Sequence, residues 1–200
     1  MAERRRLRPD LRRQQILEAA VRIFYEQGYE AASLRDLAER VGINKATVYH
    51  YFESKEDILY HIVDRVGGEL LEGVREAFEA GGPPLEMLER MIRFQIGYME
   101  HHVEEIKVLV EEKKSLRPDL NKHVRRTEAE ILRLYKEVLE RCVRAGRVRP
   151  VHITTAAFGI LGQINWFYHW YRPDGPLSIG QLADEVVGQL FHGLLPRQTG

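Results

Sequence analysis

The stretch LRDLAERVGINKATVYHYF, Leu34 to Phe52, is the most informative part of this chain of 200 residues. Two short helical patterns flank Gly42, which suits the left-handed backbone of a tight turn. Counted from Leu34, alanine holds the fifth place, glycine the ninth and valine the fifteenth. This spacing is typical of a helix-turn-helix, where a small alanine lets two helices cross closely. Because such units also serve as plain packing modules, the spacing alone leaves the function open.

The helical period divides the rings of Tyr49–Phe52 into two groups. Val48 and Phe52 lie four residues apart and are expected to face inward, with Tyr51 half-buried. The other side chains face outward at the N-terminal end of the second helix, which enters the major groove in DNA-binding proteins of this type. They are Lys45, Ala46, Thr47, Tyr49 and His50. Ala46 suits a thymine methyl group, and the three larger polar side chains suit base edges or phosphates.

Charge is unevenly distributed along the chain, although its formal net charge is zero. Residues 1–55 carry 11 Lys and Arg against 8 Asp and Glu, and residues 56–200 carry 19 against 22. Six arginines precede residue 14 and form a basic arm of the kind that often reaches a phosphate backbone: Arg4, Arg5, Arg6, Arg8, Arg12 and Arg13. An architectural protein that binds DNA without specificity would instead need basic charge over its whole body.

Other classes of protein are disfavoured by the composition. No apolar run reaches the length of a membrane span, and the first residues lack the apolar segment of a signal peptide. Cys142 is the single cysteine, which excludes an intrachain disulfide and a site with several cysteine ligands. We therefore expect a cytoplasmic protein without a membrane partner. No nucleophile–base pair or metal-ligand cluster stands out, so we expect neither an enzyme nor a metal protein.

Helical periodicity runs through nearly the whole chain and predicts an all-α fold of about nine helices. Three short helices form a helix-turn-helix domain over residues 1–54, and longer ones form a ligand-binding and dimerisation domain over residues 55–200. The fifth helix begins at Pro84 and a separate sixth runs from Val103 to Lys114. The eighth is predicted to reach Trp170, and the ninth runs from Ser178 to about Leu195.

The run from Ile16 to Leu59, ILEAAVRIFYEQGYEAASLRDLAERVGINKATVYHYFESKEDIL, closely resembles the DNA-binding domain of TetR-family transcriptional regulators. The resemblance implies a homodimeric, all-α repressor whose third helix contacts double-stranded operator DNA. The DNA contacts that it implies are Arg35, Lys45, Ala46, Thr47, Tyr49, His50, Tyr51 and Lys55. It also implies dimerisation through the last two helices, where Gly159 and Gly162 permit close approach. The two DNA-binding domains of the dimer would lie about one DNA turn apart, roughly 34–36 Å.

The resemblance further implies a pocket for a small apolar effector among the middle helices. Candidate lining residues are apolar or aromatic: Met91, Phe94, Tyr98, Leu134, Trp166 and Trp170. The segment WFYHWYRPDGPLS is similar to regulators of fatty-acid, steroid and other acyl-CoA degradation, which makes a fatty acyl-CoA the favoured effector. Its phosphates would need cations such as Arg125, Arg133, Arg141, Arg144 and Arg172.

Three alternatives stay open. The aromatic residues from Trp166 to Tyr171 serve equally well as core or as a dimer interface. The effector is alternatively a drug or an aromatic compound whose efflux or degradation is regulated. A helical enzyme of acyl-CoA metabolism, with a helix-turn-helix used only for packing, is the least favoured interpretation.

Overall fold

The computed structural model describes residues 9–172 and 174–193 of the chain. This part is almost entirely helical and contains no strand, which confirms the all-α prediction. Its eight α-helices are α1 (Pro9–Gln27), α2 (Leu34–Val41), α3 (Lys45–Tyr51), α4 (Lys55–Glu79), α5 (Pro84–Glu112), α6 (Pro118–Arg144), α7 (Ile153–Asn165) and α8 (Ile179–His192). Short 3-10 turns cover Lys113–Ser115 and Phe167–His169.

Local capping explains why α2 and α3 begin and end where they do. The Ser33 side chain accepts a hydrogen bond from the backbone N–H of Asp36, and the Asp36 carboxylate accepts one from the N–H of Ser33. Gly42 ends α2 with φ 72° and ψ 34°, a left-handed conformation that favours glycine. Asn44 then caps α3. The helix-turn-helix predicted from the spacing is therefore present.

The predicted break between the fifth and sixth helices is present as a kink. Both predicted helices fall within α5, which leaves the helical conformation at His102, with φ −129° and ψ 22°, directly before the predicted start at Val103. No proline or glycine stands at this position, so the kink lacks the residues that usually end a helix. A single residue leaves the helical conformation, and the chain resumes it at once.

The predicted end of the eighth helix at Trp170 was wrong. The corresponding helix, α7, ends at Asn165 and is followed by the 3-10 turn of Phe167–His169. Phe167 and Tyr168 are buried in this tighter turn and Tyr171 is buried just after it, whereas Trp166 and Trp170 are exposed. The last helix ends at His192, and its predicted extension to Leu195 lies outside the described residues.

The chain divides into two compact units. The head unit contains the described residues up to Val66 together with Glu104–Val124, and the body unit contains Gly67–Val103 with Arg125 onward. In the head unit, α1 packs on α2 and α2 on α3 around a core that includes Ile16, Phe24 and Leu37. The predicted boundary at residue 54, which rests on function, stays a prediction.

In the body unit, α4 and α5 approach closely at Gly73. A Cβ atom on Gly73 would lie only 1.9 Å from Cζ of Phe94 on α5, so the phenyl ring occupies the place of a side chain. Gly68, earlier on α4, is exposed and has open space around it. The two glycines of one helix therefore differ in what surrounds them.

We expect Gly68→Ala to stabilise the chain by up to about 1 kcal/mol, because alanine is the better helix former. Gly73→Ala should lack this gain, because displacing the Phe94 ring costs about 1–3 kcal/mol. Urea denaturation of the two variants measures the difference. Equal stability of both variants would show that the Phe94 ring moves aside freely.

Candidate DNA-binding surface and ligand-binding residues

The α3 helix exposes one face and buries the other, as its period predicts. Val48 is fully buried and Phe52 is 2% exposed, whereas Tyr49 is 50% exposed. Lys45, Ala46 and His50 are exposed as well, and Thr47 and Tyr51 are half-buried. The predicted division of the rings between core and surface is therefore confirmed.

Two contacts fix the start of this exposed face. The Asn44 side-chain oxygen accepts hydrogen bonds from the backbone N–H of Thr47 at 2.7 Å and from its hydroxyl at 2.8 Å. The hydroxyl of Thr47 thus donates within the cap and leaves its oxygen to accept. The Lys45 ammonium lies over the ring of Tyr49, 5.6 Å from the ring centre, so a positive charge and an aromatic ring stand side by side.

Arg35, the predicted contact on α2, is available at the surface. Its side chain is 82% exposed and pairs with Glu39 at 3.0 Å, one turn further along the helix. The hydrogen bond and charge of Glu39 raise the pKa of the guanidinium, so Arg35 stays charged. An exposed pair of this kind is weak and exchanges readily for a phosphate contact.

Lys55 has a role in the head that the sequence did not reveal. Its ammonium donates to the backbone carbonyls of Tyr29 (2.7 Å), Ala32 (2.9 Å) and Glu30 (3.2 Å). It also lies over the ring of Tyr29, 4.2 Å from the ring centre. All three donors of the ammonium are thus engaged within the protein. Its predicted DNA contact stays untested, and the structure assigns it to holding the turn between α1 and α2.

The end of α5 and the segment after it contact the turn between α1 and α2 and the start of α4. The backbone N–H of Tyr29 donates to Oε1 of Glu112, in the last turn of α5, at 3.2 Å. Arg117 donates to the carboxylate of Glu56 through its backbone N–H at 2.6 Å and through Nε at 3.1 Å. Glu112 and Arg117 lie far along the chain from the head helices, and local patterns carried no signal for these contacts.

Only the last part of the basic arm lies within the described residues. Arg4, Arg5, Arg6 and Arg8 lie outside the described residues, whereas Arg12 and Arg13 belong to α1. The Arg13 guanidinium lies over the ring of Phe52, 4.9 Å from its centre. Arg12 donates to the side chain of Gln15 at 3.0 Å.

Four of the predicted ligand-binding residues lie on α5 and α6 in the body unit. Met91 is fully buried and Leu134 is 2% exposed, and Phe94 and Tyr98 are half-buried. Phe94 covers Gly73 of α4, and Tyr98 donates to Oε2 of Glu69. The Tyr98 ring also stacks on His102, with 4.2 Å between ring centres. Met87 and Met99 of α5 are buried as well, and the ligand-binding role of these side chains stays a prediction.

The two predicted tryptophans do not share that interior. Trp166 is 61% exposed and Trp170 is 50% exposed. The reason is the early end of α7, since the 3-10 turn places Phe167 and Tyr171 inward in their stead. Their ligand role stays a prediction, and their exposure favours an intermolecular contact.

Two of the candidate arginines on α6 pair closely with glutamates of the same helix. Arg133 pairs with Glu130 at 2.8 Å and with Glu137 at 2.9 Å, which raises the pKa of the guanidinium and lowers the pKa of Glu130. Arg141 pairs with Glu137 at 2.6 Å and, together with Arg133, lowers the pKa of that carboxylate. Of the five candidate partners for phosphate, Arg125 and Arg172 lie exposed, and Arg144 lies 3.8 Å from Glu140.

Two buried polar residues of the body unit were missed by the sequence patterns. Gln95 follows Met91 by four residues and precedes Met99 by four, so a polar residue stands within the apolar stripe of α5. Tyr135 holds the same kind of position on α6, four residues after Ile131. Both residues could have been found, because each places a polar group at a position where the helical period predicts the core.

Two features are not found in the part of the chain that the structure describes. None of its helices is both long enough and apolar enough to cross a bilayer. None of its clusters of His, Cys, Asp or Glu has the arrangement needed to hold a metal ion.

Comparisons with known proteins identify the class to which this fold belongs. Residues 16–62 match the family described as bacterial regulatory proteins, tetR family, and residues 81–194 match the tetracyclin repressor-like C-terminal domain. Together the matches span the helix-turn-helix and most of the later helices. The chain belongs to the TetR family of DNA-binding transcriptional regulators, whose members are not enzymes.

Individual relatives resemble the chain over nearly its whole length. The transcriptional repressor KstR2 of Mycobacterium tuberculosis is 26% identical over 192 residues, covering 92% of each chain. The crystal structure of PfmR from Thermus thermophilus is 32% identical, with a TM-score of 0.85, covering 90% of this chain and 99% of that one. AibR, solved in complex with isovaleryl coenzyme A and operator DNA, is 29% identical, with a TM-score of 0.83, covering 90% and 98%.

Substitutions of Tyr49 and Lys55 should separate DNA contact from head stability. Tyr49→Ala removes an exposed ring, so we expect it to weaken operator binding by about 1 kcal/mol or more in a gel-shift titration. Its unfolding should match the wild type. Lys55→Met leaves three carbonyls without their donor, so we expect its free energy of unfolding to fall by about 1–3 kcal/mol. Unchanged DNA affinity in Tyr49→Ala, or unchanged stability in Lys55→Met, would contradict the respective role.

Proposed function

We propose that this protein is a transcriptional repressor that binds its operator as a homodimer and leaves it when a small apolar effector binds. The favoured effector is a fatty acyl-CoA or a related intermediate of lipid degradation. The observation that carries the DNA-binding part is the exposed face of α3, where Lys45, Tyr49 and His50 surround the small Ala46. Such a face offers cationic, hydroxyl and imidazole groups to a major groove.

The effector part rests on the interior of the body unit and on one relative. Met87, Met91 and Met99 are buried along α5, and methionines adapt to ligands of irregular shape. AibR, which resembles the chain over most of its length, was solved with isovaleryl coenzyme A. An acyl chain suits this interior, and the exposed Arg125 and Arg172 are the candidates for the phosphates.

Release from DNA requires that the effector favour a state that fits the operator poorly. Its effect on DNA affinity equals the difference in its own affinity for the two states. The α5 helix carries Met91 in the body unit and Glu112, which accepts a hydrogen bond from Tyr29, in the head unit. This helix is therefore our candidate element for coupling the effector to the head.

The operator can be selected from a random duplex library, and acyl-CoAs should then release the protein from it. We expect the wild-type chain to enrich a two-fold symmetric sequence with half-sites about one turn apart. Titration of acyl-CoAs of increasing chain length should lower DNA affinity about tenfold or more, measured by fluorescence anisotropy. Free coenzyme A and the matching free acids serve as controls.

The outcomes of this experiment separate the two parts of the proposal. If no sequence is enriched, the DNA-binding part is wrong. If a sequence is enriched but no acyl-CoA releases it, the effector class is wrong and the regulator of an aromatic compound or drug becomes the better candidate.

The proposed dimer uses α7 and α8. The α7 helix exposes Phe158, which is 58% accessible, and Trp166 follows its end. Gly159 and Gly162 are exposed, and a Cβ atom on either would meet nothing within 4 Å. Large apolar side chains beside small residues form a surface that suits a second helix pair, and covering it would remove apolar area from water.

We expect Phe158→Glu to disrupt the dimer, because it places a charge on the apolar surface of α7. Light scattering after size-exclusion chromatography should give the mass of a monomer at concentrations where the wild type is a dimer. Tyr49→Glu, which changes an equally exposed ring on α3, should leave the mass of a dimer. A dimeric Phe158→Glu variant would place the interface elsewhere.

A further inference from the structure

Two buried side chains of the body unit carry a polar atom without a hydrogen-bond partner among the described residues. Gln95 on α5 is 5% exposed, and its Oε1 atom accepts from no donor. Tyr135 on α6 is fully buried, and its hydroxyl group is unpaired. An unpaired buried polar group destabilises the folded state, and native interiors contain few of them. Two in one unit need a physical reason.

Contacts with α4 give the level of Gln95 along the bundle. Glu69, Gly73 and Ala77 of α4 contact Tyr98, Phe94 and Arg90 of α5, respectively. Each step of four residues forward on α4 is four residues backward on α5, so the two helices run antiparallel in a constant register. Gln95, the residue after Phe94, therefore lies at the level of residue 72 on α4.

A second set of contacts gives the level of Tyr135. A Cβ atom on Gly67 would lie 3.6 Å from Thr127, Arg75 lies 3.8 Å from Glu130, and the Arg141 guanidinium lies over the ring of Phe78. Residue numbers rise together, so α6 runs parallel to α4. By these three contacts Tyr135 lies at the level of residues 72–80 on α4, a range that includes the level of Gln95. Since a helix rises about 1.5 Å per residue, the two residues lie within roughly 12 Å of each other along the helix axes.

We propose that Gln95 and Tyr135 recognise a hydroxyl or secondary amide group of the effector within this layer of the body unit. The Gln95 Oε1 atom would accept a hydrogen bond from the O–H or N–H of that group, and the Tyr135 hydroxyl would donate one to its oxygen. The neighbouring side chains are apolar, Met91 and Leu134 among them. This inference rests on the proposed function, because it specifies what the effector must carry.

The chemistry of both groups fits this role. Burial raises the pKa of Tyr135, so its hydroxyl stays protonated and able to donate. Arg90 also has a buried Nε atom without a partner, but its guanidinium donates to the carbonyls of Ala77 and Gly81. That arginine is therefore explained by closing the end of α4. Gln95 and Tyr135 have no such structural task.

Two sources supply the required group. The pantetheine arm of an acyl-CoA contains secondary amides, and a hydroxylated fatty acid contains a hydroxyl group. A saturated fatty acid contains neither within its apolar body. The probe ligands of the experiment distinguish the amide source from the hydroxyl source.

Thermal unfolding of the ligand-free full-length chain tests the residues without any effector. Tyr135→Phe and Gln95→Met remove polar atoms that have no partner, so we expect the Tm to stay unchanged or to rise. Tyr98→Phe is the matched control, since it deletes a hydroxyl that donates to Glu69, and its Tm should fall. A fall in Tyr135→Phe and Gln95→Met like that of the control would mean that both groups serve the fold, and would overturn the proposal.

Calorimetric titration with three probes tests recognition. The probes are octanoyl-CoA, 3-hydroxyoctanoic acid and octanoic acid. For whichever probe with an amide or hydroxyl binds the wild type, each variant should bind about tenfold more weakly, the loss of one hydrogen bond. Affinity for octanoic acid should be the same in variants and wild type. Equal affinity of variants and wild type for octanoyl-CoA or 3-hydroxyoctanoic acid, where that probe binds, would overturn the proposal, as would binding of octanoic acid alone.

Failure of the proposed function has a different signature. If none of the three probes binds the wild type, the effector class is wrong. The Tm comparison with Tyr98→Phe still decides the roles of Gln95 and Tyr135. Loss of DNA affinity in the ligand-free variants would count against recognition, because it would place the two residues in the fold of the operator-binding state.

Discussion

The ammonium group of Lys55 is the contact that holds the geometry of the head. It satisfies three backbone carbonyls of the turn between α1 and α2 and packs on the ring of Tyr29. Lys55 is also the first residue of α4, so one side chain joins the start of that helix to the turn. The cost of removing an ammonium from water is offset because all its donors find acceptors. The α3 helix lies between the two joined segments in the chain.

Features determined by neighbouring residues were predictable from the sequence. The period of the helix separates Val48 and Phe52 from Tyr49 and His50, and the structure has the same division. Ser33, Gly42 and Asn44 act on backbone groups within a few residues, so they fix helix ends without help from the rest of the chain. For this reason the helix-turn-helix could be predicted from the sequence.

Features determined by distant residues were not predictable in the same way. The sequence predicted a helix as far as Trp170, yet α7 ends at Asn165, and the tight turn that follows accompanies the burial of Phe167 and Tyr171. Lys55 resembled a surface cation because its acceptors precede it by more than twenty residues.

The distribution of charge and polarity in the body unit separates surface from interior. On α6, Arg133 and Arg141 share Glu137, so these two guanidinium groups add little net attraction for an anion. On the inner face, Gln95 and Tyr135 bury polar atoms where methionine and phenylalanine would cost nothing in hydrogen bonds. Unpaired groups of this kind destabilise a chain by about 1–3 kcal/mol each. A regulator that must discriminate between apolar molecules gains from them, because a ligand without the matching group leaves both atoms unpaired.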